Sequence, residues 1–188
     1  LRLRDDGAGR ALVFLHGWAF DLDIWEPQAQ ALAAEYRVVR VDRRGFGLST
    51  GEPSLEHDFE DLVRVLDRLG LERVTLIGAS QGARTALRAA LAVPERVDCV
   101  VLDAAPDCIS DREHALTADE VPLAEYRELA RAGDIAGVRR AWSRHPFTWL
   151  WSEDPVMQAR LAGIIGRYPG RDLVESDAPP PPSLGTAA

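Results

Sequence analysis

The sequence predicts an α/β fold: a mostly parallel, doubly wound sheet followed by a helical cap. Three observations carry this. Apolar, strand-length runs at 11–15, 37–41, 74–77 and 97–102 alternate with helical patterns through residue 103. The connections between them are short, as right-handed crossovers in a parallel sheet require. From 107 to 175 the pattern changes to helical stretches without a clear strand. The domain reading is therefore an α/β core at 1–106, a helical cap or lid at 107–175, and a proline-rich linker or tail at 176–188.

Each element has a local reason. Residues 11–15, Ala-Leu-Val-Phe-Leu, are apolar without alternation, the mark of a strand buried on both faces. An earlier strand around Leu3 and Arg4 is only weakly signalled. Ile24, Trp25, Ala29, Leu32 and Ala33 suggest a short helix, and 37–41 the next strand. Ser54 reads as a helix N-cap behind Pro53. Leu55, Phe59, Leu62, Leu66 and Leu69 then recur at spacings of 4, 3, 4 and 3, an amphipathic helix closed by Gly70 in the C′ place. The strand at 74–77 leads through a turn into a helix carrying Ala83, Ala86, Leu87, Ala90 and Leu91, which Pro94 stops. A further buried strand ends at Asp103, with Cys99 as a small core residue. Helices at 123–132 and 135–142 follow.

The chemistry centres on Gly78-Ala79-Ser80-Gln81-Gly82. In a strand–turn–helix context G-x-S-x-G makes a nucleophile elbow. The tight turn demands Gly78 and Gly82 beside the nucleophile and lifts Ser80 clear of the sheet. The N–H of Gln81 lies at a helix N-terminus, which favours negative charge. The bland alternative is a tight turn in a nucleotide-binding sheet, with Ser80 only a helix cap. The glycines miss the G-x-G-x-x-G spacing, which argues against a dinucleotide. In parallel sheets ligands bind outside the carboxyl ends of the strands. His16, Asp42, Ser80 and Asp103 all fall there.

Composition bounds the rest. The 188 residues suffice for one sizeable core, and 46% hydrophobic with 28% charged residues fits a globular domain. No apolar run has membrane-spanning length. Twenty-two basic against 30 acidic residues give a net charge of −8, which opposes nucleic-acid binding. Two cysteines, Cys99 and Cys108, make no disulfide framework, so a reducing cytoplasm is expected. Every basic residue is Arg and there is no Asn, which with the Ala richness suggests a GC-rich bacterial coding sequence.

Three segments, His16-Gly17-Trp18, Asp42-Arg43-Arg44-Gly45-Phe46-Gly47-Leu48-Ser49 and the Ser80 elbow, together resemble the α/β-hydrolase family. The likeness runs from about residue 3 to 175. It is nearest the small bacterial esterase, enol-lactonase and cofactor-free haloperoxidase set, in which an HG-aromatic segment precedes a loop with a Trp, as Trp18 and Trp25 do here. The resemblance implies Ser80 as nucleophile, and the backbone N–H groups of Trp18 and Gln81 as the oxyanion hole. His16, Gly17, Asp42 and Gly45 to Gly47 would shape the loops around the site, and no metal or organic cofactor is needed. It implies a serine hydrolase acting on a small ester or lactone.

The family's triad runs Ser, then Asp or Glu, then a late His. No such late segment is found before the proline-rich stretch. His57, His114 and His145 are expected on the surface or in the cap. Asp103, and behind it Asp107, are the internal candidates for the acid. The chain accordingly reads as the front part of a hydrolase, truncated at both ends, with acid and base beyond it and its last sheet edge left bare. The aromatics Trp18, Trp142, Phe147 and Trp149 either line an apolar substrate pocket or hold the cap together. Two other functions stay open: an inert binding or receptor module, and perhydrolysis.

Overall fold

A computed structural model describes residues 1–104, 121–148 and 153–175. Its five strands are β1 (Leu3–Asp6), β2 (Ala11–Leu15), β3 (Arg37–Val41), β4 (Val74–Ala79) and β5 (Val97–Asp103). They form one sheet in the order β1-β3-β2-β4-β5, with β1 antiparallel to β3 and every other pair parallel. Leu15 is level with Val41 on one side and Gly78 on the other, and Ala79 is level with Asp103. The segments that follow these strands therefore leave from one sheet edge. The chain turns from β2 to β3 on one side and later to β4 on the other, so a switch point lies between β2 and β4.

Strand β1 was faint in the sequence because it offers the core only Leu3 and is otherwise charged. Asp5 pairs with Arg37 at 2.7 Å, and Asp6 with Arg40 at 2.7 Å, across the antiparallel ladder to β3. Both faces of the central strands are covered. Helices α2 (Leu55–Arg68) and α3 (Gln81–Ala92) bury Leu62, Val65, Leu66, Ala86 and Ala89 against Val13, Leu15, Val39, Val41 and Leu76. On the opposite face, Trp25 and Ala29 of a 3-10 turn and α1 (Glu26–Leu32) meet Phe14 and Val38. Helix α2 has the ends its sequence calls for. Ser54 Oγ accepts the His57 N–H. Gly70, at φ 63°, lets its own N–H reach the Asp67 carbonyl, while the Leu71 N–H reaches that of Leu66.

Two expectations need correcting. Cys99, Val101 and Leu102 of β5 are exposed, not core, while Val97 and Val100 are half-buried against the core, because β5 is an outer strand of the sheet among the described residues. Helix α3 buries Gly82, Ala83, Thr85, Ala86 and Ala89, a face turned away from Leu91, which is 62% exposed.

Beyond β5 come α4 (Leu123–Arg131), α5 (Ile135–Trp142), α6 (Pro155–Arg167) and α7 (Arg171–Glu175). Helix α6 was not singled out from sequence, although its start is legible: Asp154 caps the Val156 N–H at 2.8 Å and Pro155 occupies the first turn. These helices share one apolar cluster with Ala19 and Phe46, from the loops after β2 and β3. They thus sit over the carboxyl edge of the sheet. No described helix is long and apolar enough to cross a membrane. Residues 176–188, Asp107, Cys108, His114, Trp149 and Trp151 lie outside the described residues.

Candidate active site

Ser80 stands between β4 and α3 at φ 49°, ψ −114°. A non-glycine residue in this region is strained by roughly 1–3 kcal/mol and persists only where the surroundings over-determine it. Here they do. The Ser80 N–H donates to the Asp103 carbonyl at 2.9 Å. A side chain on Gly78 would run into the Gly82 backbone, and one on Gly82 into the Leu15 carbonyl. The two glycines thus let the start of α3 press against the ends of β4 and β2. The Ser80 hydroxyl makes no capping bond to α3, so the plain helix-cap reading fails. The Gln81 N–H opens the helix, where backbone donors have no intrahelical acceptor.

The segment after β2 closes on this elbow. A Cβ at Gly17 would stand 3.3 Å from both the Ala79 carbonyl oxygen and Ser80 Cβ. Glycine therefore brings the backbone leading to Trp18 directly against the serine. His16 is fully buried beneath it. Its Nδ1–H donates to the Gly17 carbonyl at 2.7 Å, and its Nε2 accepts the Arg43 N–H at 2.9 Å. Burial, reinforced by the Arg43 charge, lowers its pKa to about 3. Both ring nitrogens are committed, so His16 ties two loops together as a neutral ring and has no free nitrogen for proton transfer.

Asp42 organises the third loop. Its Oδ1 accepts the Leu22 N–H at 2.7 Å and its Oδ2 the Leu48 N–H at 2.9 Å, with Arg2 at 3.2 Å. Gly47, at φ 54°, has no room for a side chain beside that carboxylate. Two supporting residues were missed from sequence. Arg43 donates through Nε to Asp58 at 2.7 Å and through Nη1 to the Gln81 side-chain oxygen at 2.8 Å. The pair is buried; burial pushes the Asp58 carboxyl up, against the pull of Arg43. Its sequence signal was available: Asp58 shares the apolar stripe of α2 with Leu62 and Val65, where a carboxylate needs a partner.

The aromatic candidates separate. Trp18 is half-buried, stacked on Tyr126 at 6.1 Å and met edge-on by Trp142 at 4.9 Å and Tyr168 at 5.4 Å. Trp142 is buried within this cluster, whereas Phe147 is 63% exposed and touches the His145 ring. Among the acid–base candidates, Asp103 is exposed and adjoins Ser80 through its backbone. His57 is exposed in the first turn of α2, with Nδ1 2.8 Å from Ser54 Oγ. His145 is buried, stacked on Trp142 at 5.3 Å. Among the described residues no group of three or more His, Cys, Asp or Glu could hold a metal ion.

A sequence profile described as alpha/beta hydrolase fold matches residues 10–163. The chain is 35% identical over 133 residues to the pimeloyl-[acyl-carrier protein] methyl ester esterase of Legionella pneumophila (strain Paris), covering 70% of this chain and 53% of that protein. The solved enol-lactonase from Burkholderia xenovorans LB400 superposes with a TM-score of 0.73 at 23% identity, over 92% of this chain and 66% of that one. The esterase EaEST from Exiguobacterium antarcticum gives a TM-score of 0.69 at 26% identity, over 92% and 66%. The chain spans about half the length of the curated relatives it matches.

Proposed function

The chain belongs to the alpha/beta hydrolase fold family, and from that premise we propose that the protein hydrolyses a small carboxylic ester or lactone through an acyl-enzyme on Ser80. The observation that carries the reading is Ser80 itself: a strained, positive-φ serine at the switch point, free of any capping duty, with Gly17 packed against its Cβ. Esters, or the lactone as a cyclic ester, are the bonds that the named esterase and lactonase relatives cleave.

In this mechanism the Ser80 oxygen attacks the carbonyl carbon while a histidine takes its proton. The carbonyl electrons move onto oxygen, and the Trp18 and Gln81 backbone N–H groups stabilise that oxyanion. Each such donor contributes about 10²–10³-fold in rate. The intermediate collapses, the alcohol leaves with the proton, and the acyl group stays on Ser80. Water then gives a proton to the same histidine and attacks the acyl carbon, and Ser80 recovers its proton as the acid departs. None of the described histidines suits the base: His16 is locked, His57 is exposed beside the Ser54 cap of α2, and His145 packs against Trp142. The proposal therefore places the histidine and its orienting acid in the portion of the relatives' length that this chain does not span, with Asp103 as the internal alternative for the acid.

The test pairs hydrolysis of p-nitrophenyl acetate with labelling by a fluorophosphonate probe. In the full-length protein Ser80→Ala is expected to abolish both, and turnover retained by that variant would sink the assignment. A second reading is an inert binding module; labelling of Ser80 by the probe in the 188-residue chain would count against it.

A further inference from the structure

Trp18 is anchored from the far end of the chain. Its indole Nε1–H donates to Asp172 Oδ2 at 2.5 Å, and the Tyr168 hydroxyl donates to Asp172 Oδ1 at 2.6 Å. Hydrogen bonds to an ionised acceptor are the short, strong ones. Burial, and then the Asp172 charge, push the Tyr168 phenol up, which keeps it a donor. Tyr126, Trp142 and Tyr168 enclose the indole, so the ring has one seat and one direction for its N–H.

The loop needs such a hold. Ala19, the next residue, lies at φ 57°, a left-handed conformation that costs an alanine roughly 1–2 kcal/mol. Ala19 itself offers only a methyl group to packing. The side chain that can fix the Gly17-Trp18-Ala19 backbone is the Trp18 indole, and the polar group that receives it is Asp172.

We propose that Asp172 is a positioning residue of the oxyanion loop: by fixing the Trp18 indole from α7, it sets the direction of the Trp18 backbone N–H beside Ser80. The proposal rests on the reading of Ser80 and Trp18 given above. It makes assembly of the oxyanion hole depend on docking of α7, because the loop and the helix share one carboxylate. Misplacing a donor by about 1 Å can cost on the order of 100-fold in rate.

The experiment uses the 15N-labelled 188-residue chain with Asp172→Asn, Trp18→Phe and the double variant. Asp172→Asn is expected to move the Trp18 indole N–H resonance and the backbone amides of Trp18 and Ala19. Trp18→Phe, which removes the indole donor, is expected to move the amides of residues 18 and 19 likewise. Adding Asp172→Asn in that background should leave them where Trp18→Phe put them, because coupled residues are non-additive. In the full-length protein, labelling of Ser80 by the fluorophosphonate should slow about 10- to 100-fold in each single variant and no further in the double. Backbone amides unmoved by Asp172→Asn, or an undiminished effect of Asp172→Asn in the Trp18→Phe background, would overturn the proposal. Should Asp172→Asn fail to fold, the Trp18 indole N–H of the wild-type chain decides alone: exchange with water as fast as that of a free indole overturns the anchoring. Loss of labelling on Ser80→Ala in the full-length protein tests the nucleophile separately, and the amide shifts in the 188-residue chain decide the anchor.

Discussion

At the scale of single residues, the site is built from groups whose alternatives are physically closed. His16 is the clearest. An imidazole with one nitrogen donating and the other accepting has no place for a second proton, and burial holds its pKa near 3 against an ordinary 6.5. As pH falls below 6.5 the unfolded chain takes up a proton that the folded chain refuses until about 3. Stability conferred by the neutral ring is therefore complete above pH 6.5 and declines through that window, by up to ~1.4 kcal/mol per pH unit. Urea unfolding at pH 7 and pH 5 should show a loss for the wild type that exceeds the loss in His16→Gln by about 2 kcal/mol at most. Equal losses would mean that His16 charges in the folded protein. Gly78 and Gly82 belong to the same scale: each is glycine because a Cβ there would run into backbone, while Gly17 holds a close approach at 3.3 Å.

At the scale of elements, legibility followed the locality of the cause. The caps of α2, the elbow before α3 and the strand ends carrying His16, Asp42 and Ser80 depend on residues a few positions apart, and each was readable. Strand β1 depends on ion pairs to β3, and Asp172 reaches Trp18 across 154 positions, so neither leaves a periodic or motif-like trace. Strand β5 failed for another reason: its sequence is that of a covered strand, while its exposure is set by what lies beside it. Val101 is 50% exposed and the neighbouring Leu102 39%. An apolar edge strand with unpaired backbone groups is a template for another chain. The 188-residue chain is accordingly expected to self-associate with rising concentration, and Val101→Lys to weaken that association. Sedimentation equilibrium checks this; a wild type that stays monomeric would show that the edge is covered in solution.

At the scale of the whole molecule, two apolar bodies meet at the site. The sheet and α2 with α3 form one, and α4 to α7 form the other. The second includes Ala19 and Phe46, with Trp18 packed against it, so the loops of the proposed oxyanion hole and of Asp42 join the helical cluster. Arg167 of α6 adds ion pairs to Asp21 at 2.7 Å and Asp23 at 2.9 Å in the same region. Cooperative units of opening follow such contiguous packing. Trp142 is buried at the centre, against both Trp18 and Phe20, and its truncation to Ala should cost about 3–5 kcal/mol. Native-state hydrogen exchange on Trp142→Ala should then show α4, α5, α6 and the amides of 18–20 losing protection together, with β2 and β4 keeping theirs. If β2 and β4 lose protection equally, the two bodies open as one. Docking of α7 against Trp18 is then inseparable from the fold of the sheet, and the loop has no opening of its own.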